Sequence, residues 1–260
     1  MAFANAPQLE FCNYRVTDRS ALRTMSKWQK LKHRLQLATA YRWFLSLEND
    51  LARMGLGNPS VVFDVGAHLG QTALHFQKAF PSASIHCFEP VVENFKKLQL
   101  NASGKERIKI NQFAIGSSQG FVRMETGHSD QAHQICRNLE KLPGNGDIPM
   151  VRTETIDSYM KHEGIATIDL LKIDVEGYEL KVLEGAKAAL EKRTVKVILA
   201  ECDFDPKDTQ HTYFNDLWDH LRSKNFSFFG LYDVIHYGNG TGIGFCNALF
   251  IERTVSSDGS

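Results

Sequence analysis

From residue 61 onward the chain alternates short apolar runs with stretches of helical periodicity, and no other feature narrows its fold so far. The pattern predicts strands at 61–65, 84–88, 108–113, 168–173 and 195–200, and helices at 71–79, 91–101, 178–190 and 213–224. Strands separated by helices join through crossovers rather than hairpins, and strands that read as continuous apolar runs are covered on both faces. The expected class is therefore α/β, a mostly parallel sheet with helices on both sides. Two late strands, at 226–232 and 245–251, follow each other with no helix between them, so one of them runs antiparallel. Between Gly116 and Gly164 the alternation fails. A hairpin strand at 121–125 and a strand at 150–154 enclose a polar loop, and an insertion of that length in a compact domain carries function or moves.

The N-terminal part follows a different rule. Leu22, Met25, Trp28, Leu31, Leu35, Ala38 and Leu45 recur at helical spacing with basic residues between them, and the GLGNPS segment at 55–60 supplies Gly and Pro stop signals. This divides the chain into a helical extension at 1–58, a main domain at 59–253 with an insertion at 117–164, and a disordered tail at 254–260. The 30 basic and 30 acidic residues cancel, which disfavours nucleic acid or an anionic membrane as partner. The total hides an asymmetry, because eight Lys/Arg between Arg15 and Arg42 face the single acid Asp18. That basic helix is expected to be a cap or a homodimer contact. Five scattered cysteines (Cys12, Cys87, Cys136, Cys202, Cys246) without a CxxC pair indicate free thiols in a reducing compartment. With no signal-peptide pattern and no membrane span, the expected location is cytoplasmic.

In an open parallel sheet, ligands bind beyond the carboxyl ends of the strands. The first run ends in Asp64-Val65-Gly66-Ala67-His68-Leu69-Gly70, a glycine turn leading into a helix whose first turn holds Thr72. Such a turn lets backbone approach a ligand and presents unpaired N–H groups. The second run ends in Glu89-Pro90, where a carboxylate can accept hydrogen bonds from two ribose hydroxyls. The glycine spacing is GxxxG, not the GxGxxG of dinucleotide sites, which disfavours an NAD(P)-dependent oxidoreductase. A later run continues into Lys172-Ile173-Asp174-Val175-Glu176-Gly177-Tyr178-Glu179, and the next into Glu201-Cys202-Asp203. Carboxylates gathered at one sheet edge repel unless a cation, a metal or a shared proton opposes them. Asp174 and Glu176 are read as site residues, and Glu179 as a solvent-facing acid that favours the helix dipole.

DVGAHLG, FEP, INQFAIG, DLLKIDVEGYELKVLEGA and VILAE together resemble the FkbM family of S-adenosylmethionine-dependent methyltransferases. The resemblance covers residues 60–205 and implies a Rossmann-like class I methyltransferase fold, a seven-stranded sheet whose last strand is antiparallel. It implies S-adenosylmethionine as cofactor, with Asp64, Gly66, Ala67, His68, Gly70 and Thr72 around its methionine part and Glu89 and Pro90 at the ribose. Gln112, Phe113 and Ala114 would lie beside the adenine, with Phe113 or Ile115 as the apolar face, and Asp174 near the sulfonium or amino group. His68 departs from the Asn common in the family. O-methylation of a small-molecule or sugar hydroxyl needs a general base, for which Glu176 is the first candidate and His128 the second. No metal is assigned, since nothing fixes an ion geometry at Asp174, Glu201 or Asp203. The loop at 127–149 and the N-terminal helix are the expected specificity elements. The alternative is a methyltransferase that uses its basic helix to dock a macromolecular or membrane-associated acceptor.

Overall fold

The computed structural model describes residues 46–126, 133–135, 150–208, 210–236 and 242–254. In chain order the elements are α1 (Leu47–Arg53), β1 (Val61–Val65), α2 (Gln71–Ala79), β2 (Ser84–Phe88), α3 (Val92–Asn101), β3 (Ile108–Asn111), β4 (Ala114–Ile115), β5 (Gly120–Thr126), β6 (His133–Ile135) and β7 (Met150–Glu154). They continue with α4 (Ile156–Glu163), β8 (Ile168–Ile173), α5 (Glu179–Glu184), α6 (Lys187–Glu191), β9 (Val195–Asp203), α7 (Phe214–Arg222), β10 (Phe226–His236) and β11 (Ile243–Glu252). The main sheet has seven strands in the order β10-β11-β9-β8-β1-β2-β3. The five strands from β9 to β3 are parallel, and β11, the last strand in the chain, runs antiparallel to both β9 and β10. The α/β class and the antiparallel last strand read from the sequence are both present.

The continuous apolar runs follow from burial on two faces. Val62 points into one core cluster with Leu51, Phe76, Ile85, Leu98 and Leu249. Its neighbour Phe63 points into the other, with Phe88, Ile173, Leu183 and Phe250. Each such side chain contributes about 1.5–3 kcal/mol. The chain leaves β1 for β2 and β3 on one side, then returns to lay β8 and β9 on the other, so a crevice opens between β1 and β8 at their carboxyl ends.

The compact unit begins at Leu47, not at residue 59. Helix α1, read above with the extension, buries Leu47 and Leu51 against the Val62 side of the sheet, and Asp50 accepts a 2.7 Å hydrogen bond from the Tyr232 hydroxyl. The rest of the basic extension and the tail from residue 255 lie outside the described residues. In the insertion, β5 and β7 pair antiparallel as expected, joined by β4 and β6 in a small second sheet. Helix α4 was not anticipated there. Thr155 caps it by accepting from the Ser158 N–H at 3.1 Å, Gly164 closes it, and Ile156, Tyr159 and Met160 form its buried stripe. The helix expected at 178–190 is two pieces, because the chain bends at Gly185 to meet the Gly116 carbonyl. A Cβ on Gly185 would lie 2.0 Å from that oxygen. The strand expected at 108–113 ends at Asn111.

Candidate active site

The turn after β1 is fixed by backbone. Gly66 and Ala67 both donate to the Phe88 carbonyl at 3.0 Å, and Asp174 donates to the Val65 carbonyl at 3.0 Å, so the ends of β1, β2 and β8 are tied together. Gly66 has φ +82°, and a Cβ there would lie 1.8 Å from the Asp174 carbonyl oxygen, so only glycine fits. Glu89 is buried just beyond β2. Its Oε2 accepts from the His68 N–H and its Oε1 from the Val91 N–H, both at 2.9 Å. Burial pushes this carboxyl up to about 7, against the pull of bonds from Val91, His68 and Asn94. His68 takes φ +49°, a conformation that Asn and His tolerate better than most residues, so the backbone role survives the departure from Asn.

A cavity of about 310 Å³ opens above these strand ends. Gly66, His68, Glu89 and Pro90 form one wall, and Asp174, Glu176 and Glu201 the other. Ala114, Ile115, Met124 and Phe245 supply apolar surface.

The acidic wall rests on a buried lysine. Lys172 Nζ lies 3.0 Å from Asp174 Oδ2 and 3.3 Å from Asp64 Oδ1. Burial opposes its charge, but Asp174 and Asp64 outweigh burial and hold the ammonium above its ordinary range. Burial likewise disfavours a charge on Asp174, yet Lys172 more than compensates and keeps that carboxylate below its ordinary value. Glu201 goes the other way, pushed up to about 10 by burial and then by repulsion from Asp174 and Glu179. Its hydrogen bond with Asp174 is therefore donated by a protonated Glu201 to a charged Asp174. Glu176, with φ +54°, is pushed up to about 7 by burial and then by the charge of Asp174.

Glu179 does not face solvent. It is fully buried and accepts from the Val175 and Gly177 N–H groups at 3.0 and 3.2 Å and from the Thr212 hydroxyl. A buried acceptor that closes this loop outweighs any dipole preference, and it sets the backbone that carries Glu176.

Gly66, His68, Glu89, Pro90, Ala114, Asp174 and Glu176 all line the cavity. Asp64 does not line it. Fully buried beneath the floor, it faces Lys172, and burial raises its carboxyl. Ala67 is buried and Gly70 starts α2. Thr72 lies in the first turn of that helix, whose Gln71 reaches the cavity. Gln112 lines an adjoining pocket of about 180 Å³ with Met150 and Arg152, which shares Pro90, Val91 and Met124 with the main cavity. Phe113 turns into the core, its ring 5.7 Å from Phe88 and 6.0 Å from Tyr159 with the Arg152 guanidinium 5.0 Å over it. Ile115, not Phe113, gives the cavity its apolar face. His128 lies outside the described residues.

Lys172 and His211 were not anticipated as site residues, whereas Glu201 belongs to the acidic sheet edge read from the sequence. A lysine inside the apolar run DLLKI signals a buried ion pair, whereas nothing local marks His211. Single atoms of Glu176, Glu201 and His211, and of Asp203, Asp208 and His211, come within 4.8 Å of one another, a spacing a cation could span. Most of these groups already serve one another. Asp208 accepts from the Gln210 and His211 N–H groups, Asp203 from the Asp205 N–H, and Glu201 is bonded to Asp174.

The sequence pattern described as "Methyltransferase FkbM domain" matches residues 64–228, from the glycine turn to β10. The chain belongs to this FkbM-domain methyltransferase family. A 31-O-demethyl-FK506 methyltransferase of Streptomyces tacrolimicus is 30% identical over 173 residues, 56% of this chain and 66% of that protein. The 2-O-methyltransferase NoeI of Sinorhizobium fredii is 26% identical over 145 residues, 51% of this chain and 59% of that protein. The hexuronic acid methyltransferase AglP of Haloferax volcanii is 26% identical over 166 residues, 62% of this chain and 65% of that protein. The chain thus spans between 59% and 66% of the lengths of these relatives.

Proposed function

We propose that this protein is an S-adenosylmethionine-dependent O-methyltransferase acting on a hydroxyl of a small molecule or sugar. The observation that carries the reading is the pairing, across one cavity, of a backbone-held Glu89 beside a glycine turn with an acidic wall of Asp174 and Glu176. The residues fit the cofactor. A carboxylate that has taken two N–H groups still has lone pairs for ribose hydroxyls, and an acid-lined wall suits a molecule with a sulfonium and an ammonium. The volume is at the lower end of the usual range for small-molecule sites. When bound, S-adenosylmethionine supplies a methyl group on a positively charged sulfur.

In this reading Glu89 would hold the ribose and Pro90, Ala114 and Ile115 would offer apolar surface to the base. Asp174, kept charged by Lys172, would oppose the cation. Glu176, pushed up to about 7 by burial, would take the proton of the acceptor hydroxyl. Much of the acceleration would come from alignment of acceptor and methyl group in the cavity. The names of the three relatives, each attached to an oxygen-bearing acceptor or an O-methyl product, support the class of substrate. No described helix is long and apolar enough to cross a membrane. The free thiols Cys87, Cys202 and Cys246 support a reducing, cytoplasmic setting. The basic extension is assigned the part of cap or dimer contact.

Calorimetry with S-adenosylmethionine and with NAD tests the cofactor. Binding of the first and not of the second is expected, and the reverse overturns the proposal. A screen of hydroxyl compounds with labelled methyl donor then identifies the acceptor class, and label appearing only on nitrogen or carbon would replace the O-methyl assignment.

A further inference from the structure

His211 has no task in the mechanism above, yet the fold holds it firmly behind Glu176. It lies in the loop between β9 and α7. Its backbone N–H donates to Asp208 Oδ1 at 2.9 Å, and its ring Nδ1 faces Asp208 Oδ2 at 3.4 Å. The ring stacks on Phe245, centroids 4.9 Å apart and planes 13° apart, and Phe245 lines the cavity. A ring nitrogen of His211 and carboxylate oxygens of Glu176 and Glu201 lie within 4.8 Å of one another. The next residue, Thr212, accepts from the Asp203 N–H at 3.1 Å and gives its hydroxyl to Glu179, the carboxylate that also holds the 175–177 loop. One buried side chain therefore ties the loop carrying Glu176 to the loop carrying His211.

A base that accepts a proton inside a cavity must release it before the next turnover. Glu201 cannot receive it, being already protonated and committed to Asp174, and Asp174 is held as the anion by Lys172. Imidazole is the side chain suited to passing a proton near neutral pH. Around His211 stand Glu176 from the loop after β8, Glu201 and Asp203 from β9, and Asp208 from its own loop, with Asp174 and Glu179 just beyond Glu176. Among the described residues Lys172 is the lysine set against these acids, and it is paired with Asp174 and Asp64.

We infer that His211, oriented by Asp208, is the proton-exchange partner that resets Glu176 after each methyl transfer. The O–H bond of the Glu176 carboxyl breaks as an N–H bond forms on the imidazole. The Asp208 carboxylate stabilises the resulting imidazolium until a ring N–H gives its proton to water. The inference rests on the assignment of Glu176 as base, and His211 is a positioning residue that acts through it.

The test follows ring nitrogens by ¹H–¹⁵N NMR in the full chain, with His211→Gln identifying the signal among the ten histidines. Glu176→Gln and Asp208→Asn, which leave His211 in place, should each move the chemical shifts of its ring nitrogens, because each removes a carboxylate beside the ring. A His211 signal unmoved by Glu176→Gln overturns the inference. On a hydroxyl acceptor from the labelled screen, His211→Gln should lower kcat about tenfold, leave S-adenosylmethionine affinity unchanged, and recover with imidazole buffer. A loss of affinity or stability without buffer rescue marks a structural role and sinks the relay. Failure of wild type to bind S-adenosylmethionine, or full turnover by Glu176→Gln, is instead a failure of the parent reading. Normal binding with an inactive Glu176→Gln and an unaltered His211→Gln removes the relay alone.

Discussion

The wall made by Gly66, His68 and Glu89 is fixed by backbone hydrogen bonds, whereas the wall made by Asp174, Glu176 and Glu201 is fixed by side chains that adjust one another's charge. The first depends on turn geometry within a span from 64 to 94. The second depends on a buried lysine, a shared proton and a loop near residue 211. A wall built on backbone turns keeps its shape while charges elsewhere in the cavity change, which suits recognition of an invariant nucleoside. A charge-built wall can change state during a reaction, which suits proton transfer.

The joint between the walls is the most sensitive point. Gly66→Ala would place a Cβ against the Asp174 carbonyl and force an L-residue into φ +82°, so it should cost about 3 kcal/mol or more and abolish S-adenosylmethionine binding. Urea denaturation measures the cost. A variant as stable as wild type would mean that the two walls are not locked together.

Next in size is the effect at the charge-built wall. Glu176→Gln keeps volume and shape, so S-adenosylmethionine affinity should stay within about threefold while methyl transfer falls about 100-fold or more. Single-turnover transfer of labelled methyl checks this, and turnover near wild type would remove the base from that wall. Glu89→Gln should do the opposite. Losing a charged acceptor for two hydroxyls should weaken S-adenosylmethionine affinity about 10–100-fold in calorimetry, with transfer at saturating cofactor close to normal. The glutamine retains an acceptor for His68 or Val91, whereas alanine would strand both N–H groups and confuse binding with folding. A rate defect from Glu89→Gln together with an affinity defect from Glu176→Gln would reverse the division of labour.

The same division explains what could be read in advance. Gly66 and Glu89 announce themselves because their surroundings are local: an apolar run, a glycine turn, then an acid at the end of the next run. The parallel sheet was legible for a similar reason, since burial on both faces leaves uninterrupted runs such as IDLLKI. Glu179 was misread because its partner Thr212 is 33 residues away and its local context, an acid in a first helical turn, has an ordinary explanation. The family resemblance implied that either Phe113 or Ile115 gives the adenine its apolar face, at the end of a strand read as 108–113. The strand stops at Asn111, whose side chain donates to the Cys87 carbonyl at 3.0 Å, and Phe113 then turns toward Tyr159. Helix α4 carried readable caps in Thr155 and Gly164, but its eight residues are a short stripe inside a segment dominated by polar loop residues. His211 has no sequence signal, because its role depends on three segments brought together by the fold.

The smallest predicted effect concerns pH and compares the walls directly. Burial raises Glu89 and Glu176 to about 7 and Glu201 to about 10, all above the ordinary 4.5. The folded chain then holds protons that the unfolded chain has released. The stability these groups contribute is full below pH 4.5 and is lost as pH rises through 7 and on toward 10. His86 has the opposite sign. Burial lowers it from 6.5 to about 4, so its contribution grows as pH rises between those values and then stays constant. Carboxylates held below their ordinary value, such as Asp169 and Asp208, lose their contribution only in acid. The two trends oppose each other below pH 6.5, and only the raised acids act above it. The ligand-free protein should therefore melt progressively lower from pH 6.5 to 8.5, by about 2–4 °C for each kcal/mol lost. Glu89→Gln and Glu176→Gln should each flatten that slope. Glu201 keeps part of the slope in both variants, so a slope reduced by Glu89→Gln and unchanged by Glu176→Gln would mean that Glu176 adds nothing to the pH response.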